Sequence, residues 1–134
     1  MKDQPSDRFL EMASRPDKLG QPARWDAVGA STGACGDTVR FFLSSVGERI
    51  ADVRFVVDGC IHTLACANAV ACLASQKTIH EAWEISEDLV AQALGGLDAA
   101  HWHCAQLAVG ALYKALHQLA ATHRQPWKKW YAIR

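Results

Sequence analysis

No stretch of this 134-residue chain is apolar for long enough to cross a bilayer, which excludes a membrane-spanning helix. No Cys-x-x-Cys pair occurs among its five cysteines, so the commonest metal-binding and redox spacings are missing. There is no internal repeat and no low-complexity segment. The start carries Asp3, Asp7 and Glu11 and resembles neither a secretory signal nor an acid-poor transit peptide. A reducing cytoplasm is the expected setting, where cysteines serve as ligands, nucleophiles or core residues rather than bridges. Acidic residues are also absent from 99–134, which hold five Lys and Arg for a local charge of +5. Residues 1–98 hold all 14 acids and nine of the 14 basic residues, a charge of −5. Such asymmetry fits a docking surface for an acidic partner or a helix end complementing its own dipole. Nucleic-acid binding would rest on the tail alone and is not expected, nor is a membrane contact.

What is present is the composition of a soluble globular protein, 50% hydrophobic and 21% charged. The length fits a single domain, 1–134, with a real core. Residues 1–24 are polar and broken by Pro5, Pro16 and Pro22, an arm with one short helix over Asp7 to Ser14. Trp25 to Ala30 is a weak strand leading into a loop over Ser31 to Gly36. Thr38–Ser45 and Ile50–Val57 alternate with period two around Val46-Gly47-Glu48, which predicts an antiparallel hairpin. After Cys60 the period changes, and Cys66, Ala69, Val70 and Leu73 form a helical stripe. Thr78 with Glu81, and Ser86 before a run to Leu94, read as helix caps. From about Ala99 to Thr122 a long amphipathic helix is expected, with Leu107, Ala108, Ala111, Ala115 and Leu119 on one face. Residues 124–134 form a basic, aromatic tail containing Trp127-Lys128-Lys129-Trp130. Strands followed by helices predict an α+β fold.

Three cysteines stand apart from the other two. Cys35 sits in Gly33-Ala34-Cys35-Gly36-Asp37, Cys60 follows Gly59 where a strand gives way to a helix, and Cys104 follows His103. Each lies at an element boundary, and a tight turn can aim Cys35 and Asp37 the same way. Thiolates from three separated loops, with a carboxylate and an imidazole nearby, form a soft-metal site. A helix start, and for Cys104 an adjacent imidazolium, are expected to lower the pKa of Cys60 and Cys104. Cys66 and Cys72 lie six and twelve residues beyond Cys60, roughly 240° and 120° around the axis, and read as core residues. His62 is placed at the site rim and His101 in an outer shell. His80, His117 and His123 are expected to face solvent.

These motifs resemble the iron–sulfur cluster assembly scaffolds of the IscU/NifU N-terminal type. The resemblance rests on Gly33-Ala34-Cys35-Gly36-Asp37, Gly59-Cys60 and His103-Cys104, in order and near the family spacing, and covers about residues 8–120. It implies a compact α+β domain with a three-stranded antiparallel sheet and several helices. It further implies Cys35, Asp37, Cys60 and Cys104 as ligands to a [2Fe–2S] cluster or Zn2+, with His103 as a neighbouring or exchangeable ligand. Cys104 would accept persulfide sulfur from a cysteine desulfurase. An iron donor and recipient apoproteins complete the implied partners, and a bridging cluster could join two otherwise monomeric chains. The role implied is a non-enzymatic scaffold. A zinc-bound persulfide relay (a sulfurtransferase) and a diverged partner-binding relative are the alternatives. The 44 residues from Cys60 to Cys104 leave no room for the insertion usual in the relay type. The chain departs from the family where Leu97-Asp98-Ala99-Ala100-His101 replaces Leu-Pro-Pro-Val-Lys, which removes the signal read by an Hsp70-type chaperone.

Overall fold

A computed structural model describes residues 7–34 and 36–124, with only the backbone of 122–124. Cys35, the tail beyond Arg124 and the first six residues of the arm lie outside the described residues. Helix α1 spans Asp7–Ser14, as expected. Strands β1 (Ala27–Thr32), β2 (Thr38–Val46) and β3 (Arg49–Asp58) form one antiparallel sheet in the order β1-β2-β3. Helices α2 (Ile61–Ala74), α3 (Ile79–Ala82) and α4 (Glu87–Ala93) follow. A 3-10 turn over Ala99–His101 then leads into α5, Trp102–Arg124. This is the α+β architecture implied by the sequence, with the three-stranded sheet and the long last helix. Among the described residues no helix is long and apolar enough to cross a membrane.

The hairpin forms where the alternation places it. Val39, Phe41 and Leu43 of β2, with Val53 and Phe55 of β3, are all fully buried on one face. Gly47 takes φ +61 in the turn, a conformation glycine adopts without Cβ strain. On the opposite face Phe42 departs from simple alternation. It is only 3% exposed because Trp25 covers it edge-on, with ring centroids 5.0 Å apart.

Strand β1 is displaced two residues along the chain from the expected strand: it starts at Ala27, leaving Trp25 and Asp26 outside, and takes Ser31 and Thr32 out of the loop. Its small residues admit α5 at close range. A Cβ on Gly29 would lie 2.2 Å from the Ala115 amide nitrogen and 2.6 Å from the Ala111 carbonyl oxygen. Helix α5 packs over β1 and β2, and the expected face of Leu107, Ala108, Ala111, Ala115 and Leu119 is buried.

Helix α2 is enclosed on more sides than one stripe requires, lying among α1, β3, α4 and α5. Every residue from Ala65 to Ala71 is buried. Even Asn68 is fully buried, and its amide group donates to the carbonyls of Met12 (2.6 Å) and Arg15 (3.2 Å) at the end of α1. Thr78 and Glu81 form the expected capping box, and Ser86 caps α4. These caps fix the route by which the chain returns to α5.

Candidate metal centre

The register of β2 against β3 sets one half of the site. Thr38 pairs with Asp58, so the residue before β2 meets the residue after β3. Those residues are Asp37 and Gly59. A Cβ on Gly59 would stand 2.8 Å from Cγ and Oδ2 of Asp37, so glycine leaves the room that the carboxyl fills. The chain then enters α2 with Cys60 as N-cap, in extended backbone at φ −82° and ψ 174°. Cys60 is exposed. The other half comes from α5, whose first turn presents an exposed His103 and a fully buried Cys104.

The two halves meet at Thr63, in the first turn of α2 and fully buried. Its hydroxyl donates to Asp37 Oδ2 at 2.6 Å and lies 3.5 Å from the sulfurs of both Cys60 and Cys104. The sulfurs are therefore no further apart than twice that distance. His103 Nε2 stands 3.6 Å from Cys104 Sγ. Sequence reasoning missed Thr63. The Cys60-x-x-Thr63 spacing held the signal, because an N-cap side chain and the residue three positions on share one side of a helix start.

The hydrogen bond from Thr63 is the main reason the Asp37 carboxyl is held below the usual carboxylate range. The Cys60 amide and thiol and the nearby His103 act in the same direction. Burial pushes the Cys60 thiol up, but the Thr63 hydroxyl and the N–H groups of Thr63 and His62 together outweigh it and lower the pKa. Cys104 goes the other way. Burial raises its thiol, the Thr63 hydroxyl offsets this only in part, and the charges of Cys60 and Asp37 add to the rise. The expected lowering of Cys104 by His103 and the helix dipole is thus overturned, because its side chain is fully enclosed.

The remaining residues sort largely as expected. Cys66 is buried in the core, which pushes its thiol up to about 12. Cys72 departs from the core reading: it is half-buried near Arg15 and Asp17, because its side of α2 faces the charged segment after α1. His80 and His117 are exposed, and the side chain of His123 lies outside the description. His62 and His101 stack flat against each other, with centroids 3.4 Å apart and planes 4° apart. Phe9 of α1 lies 5.1 Å from His62, and His101 Nδ1 is 2.7 Å from Asp98 Oδ1. This rim cluster ties α1 to the turn before α5.

Cys60, Cys104 and Asp37 supply two soft sulfurs and one hard oxygen, a donor set suited to zinc or to iron–sulfur chemistry. Among the described residues, however, no three Cys, His or acidic side chains stand ready to hold a metal ion. The Thr63 hydroxyl occupies the point on which they converge.

Comparison with known proteins gives the family of the chain. The profile of the NifU-like N terminal domain matches residues 4–125. The iron-sulfur cluster assembly scaffold protein IscU 1 of Archaeoglobus fulgidus is 35% identical over 112 residues, which cover 83% of this chain and 73% of that protein. The bifunctional protein NifU/MnmA of Rubrobacter xylanophilus is 38% identical over 111 residues, 81% of this chain and 23% of that longer protein. Among solved structures, a putative iron-sulfur cluster assembly scaffold protein for the SUF system from Fervidobacterium islandicum superposes with a TM-score of 0.70 at 21% identity. That match covers 83% of this chain and 95% of the other. The N-terminal NifU-like protein from Brucella abortus gives 0.67 at 20% identity, covering 87% and 94%. At those identities the two structures speak for the fold alone. The sequence matches, set beside the convergence of Asp37, Cys60 and Cys104, assign this chain to the family of NifU-like N-terminal domains.

Proposed function

We propose that this chain is a scaffold on which a [2Fe–2S] cluster is assembled as cargo, then passed to recipient apoproteins in the cytoplasm. The observation that carries the reading is the gathering of Asp37, Cys60 and Cys104 around one hydroxyl, in a chain of this family. Cys35 completes the proposed set as a third thiolate, and His103 is the neighbouring, exchangeable donor. Three thiolates hold iron firmly, while an oxygen or nitrogen donor makes the fourth bond easier to break. A carrier that must release what it builds needs that weak point. Zn2+ takes the same ligand types and occupies the site when no cluster is present.

Sulfur would come from a cysteine desulfurase as persulfide, and iron from a separate donor. Cys104 is the proposed acceptor. Its sulfur is buried, so in this reading the site has to open before a donor persulfide reaches it. In this reading the chain holds and releases the cluster without turning over a substrate of its own, and so acts as a scaffold and not as an enzyme.

Anaerobic reconstitution with iron, cysteine and a desulfurase tests this reading, followed by optical spectra and metal analysis. The expected result is a [2Fe–2S] spectrum that Cys35→Ser, Cys60→Ser and Cys104→Ser each diminish, and that decays on adding an apoprotein acceptor. Zinc retained with no cluster formed would support the persulfide relay instead. Mass spectrometry after a desulfurase reaction locates the sulfur. Persulfide found on Cys60 or Cys35 alone would move the acceptor role away from Cys104.

A further inference from the structure

We propose that Thr63 is a positioning residue that competes with the cargo for Asp37, holding the carboxylate in the metal-free site and yielding it when metal enters. The inference rests on the scaffold reading, since it presumes that metal binds among these donors. Its basis is a matter of counting protons. A hydroxyl carries one hydrogen, and three acceptors surround it: Asp37 Oδ2 at 2.6 Å and two sulfurs at 3.5 Å. The short contact takes the hydrogen, as a charge-assisted bond to a carboxylate is the strongest on offer. Cys104 Sγ is placed as a second acceptor for the same hydroxyl, and Cys60 Sγ can donate to it or accept from it.

Metal binding shifts that preference. A metal ion that draws on the Asp37 carboxylate takes the nearer acceptor away from the hydroxyl, and Cys104 Sγ, already 3.5 Å away, is the acceptor left to it. Rotation about the Cβ–Oγ1 bond re-aims the same hydrogen from Asp37 to Cys104 Sγ. The hydroxyl keeps its proton, the hydrogen bond to Asp37 breaks, and the freed carboxylate oxygen becomes the donor to the metal. Burial of Thr63 makes the exchange sharp, because no water reaches its hydroxyl to blur the choice.

The test titrates Co2+ into the full-length metal-free protein and follows the thiolate-to-cobalt charge-transfer band. Thr63→Val keeps the shape and removes the hydroxyl. Because the bond lost in the metal-free state is shorter and stronger than the one lost in the loaded state, affinity should rise about tenfold. The band should also move to lower energy, since the thiolate no longer accepts a hydrogen bond. Thr63→Ser should return both toward wild type. In an Asp37→Ala background the gain from Thr63→Val should vanish. Should the valine variant not fold, Thr63→Ala reads the same change. Unchanged or weakened affinity, or a gain that persists without Asp37, overturns the proposal while leaving the metal site in place. A wild-type protein with no thiolate band on adding Co2+ overturns the site and the proposal together.

Discussion

Alanine at position 59 separates the geometry of the Asp37 pocket from the stability of the fold. The added Cβ would stand 2.8 Å from Cγ and Oδ2 of Asp37 and 3.1 Å from its Cβ. The backbone of Gly59 does not lie in the positive-φ region, so alanine fits the main chain there. The obstructed atoms are the end of a half-buried side chain, and the strain is relieved when the carboxyl swings outward. That movement breaks the 2.6 Å bond from Thr63, a charged hydrogen bond of about 1.5–3 kcal/mol. Water recovers part of this at a half-exposed group, and alanine restricts the unfolded chain by about 0.4–1 kcal/mol. The net cost is about 1 kcal/mol at pH 7. Its pH dependence is the sharper test. The folded protein holds the Asp37 pKa below its unfolded value of about 3.9. The bond therefore contributes fully above that value, and its contribution disappears as pH falls through the lowered folded pKa. Urea denaturation of both proteins under reducing conditions, from pH 7 to pH 3, should show a gap that narrows with acid. A gap that stays constant, or none at pH 7, would refute the assignment of the cost to the Asp37 bond.

Three further outcomes are expected. Gly29→Ala should destabilise the fold by about 3 kcal/mol, because its Cβ would meet the backbone of α5 rather than a movable side chain; an unchanged urea midpoint would count against the close β1–α5 approach. Iodoacetamide added to the metal-free protein near pH 7.5 should label exposed, acid-shifted Cys60 before Cys104 and Cys66, whose thiols burial raises. Peptide mapping over time shows the order, and early labelling of Cys104 would contradict it. Zinc at about 100 times its dissociation constant should stabilise the fold by about 2.7 kcal/mol. Chelator should reverse the shift in the melting midpoint, and a midpoint indifferent to both would exclude a folded-state zinc site.

The hairpin, the capping box and the buried face of α5 were legible because each depends on near neighbours in sequence. Period-two alternation and a Thr-x-x-Glu pair require no knowledge of what lies opposite. Strand β1 was fainter, since Gly29, Ala30 and Ser31 have poor strand preference, and Gly29 and Ser31 are small on the face taken by α5, which arrives more than 70 residues later. Phe42 could not be assigned from its strand alone because Trp25, which covers it, lies outside the hairpin. That Asp37, Cys60 and Cys104 come together was legible in their motifs, but their surroundings were not. Local sequence favours an acidic Cys104, whereas enclosure by other elements decides the opposite. Thr63 went unnoticed for the same reason: its importance comes from Asp37 and Cys104, both distant in sequence.

The two sulfurs described at the site belong to helices that press on each other. Cys60 caps α2 and Cys104 lies in the first turn of α5, and the two helices share the core around Cys66 and Ala105. Apart from a χ1 step of exposed Cys60, widening or narrowing the gap between the sulfurs would require whole helices to slide through close-packed contacts. Asp37, held by hydrogen bonds from Thr63 and Cys60 rather than by helix packing, and exposed His103 can each change position by a rotamer step. The chain thus has a fixed gauge made of sulfur and adjustable jaws made of oxygen and nitrogen. Ions of different radius or geometry would be accommodated by the jaws, with the gauge left unaltered.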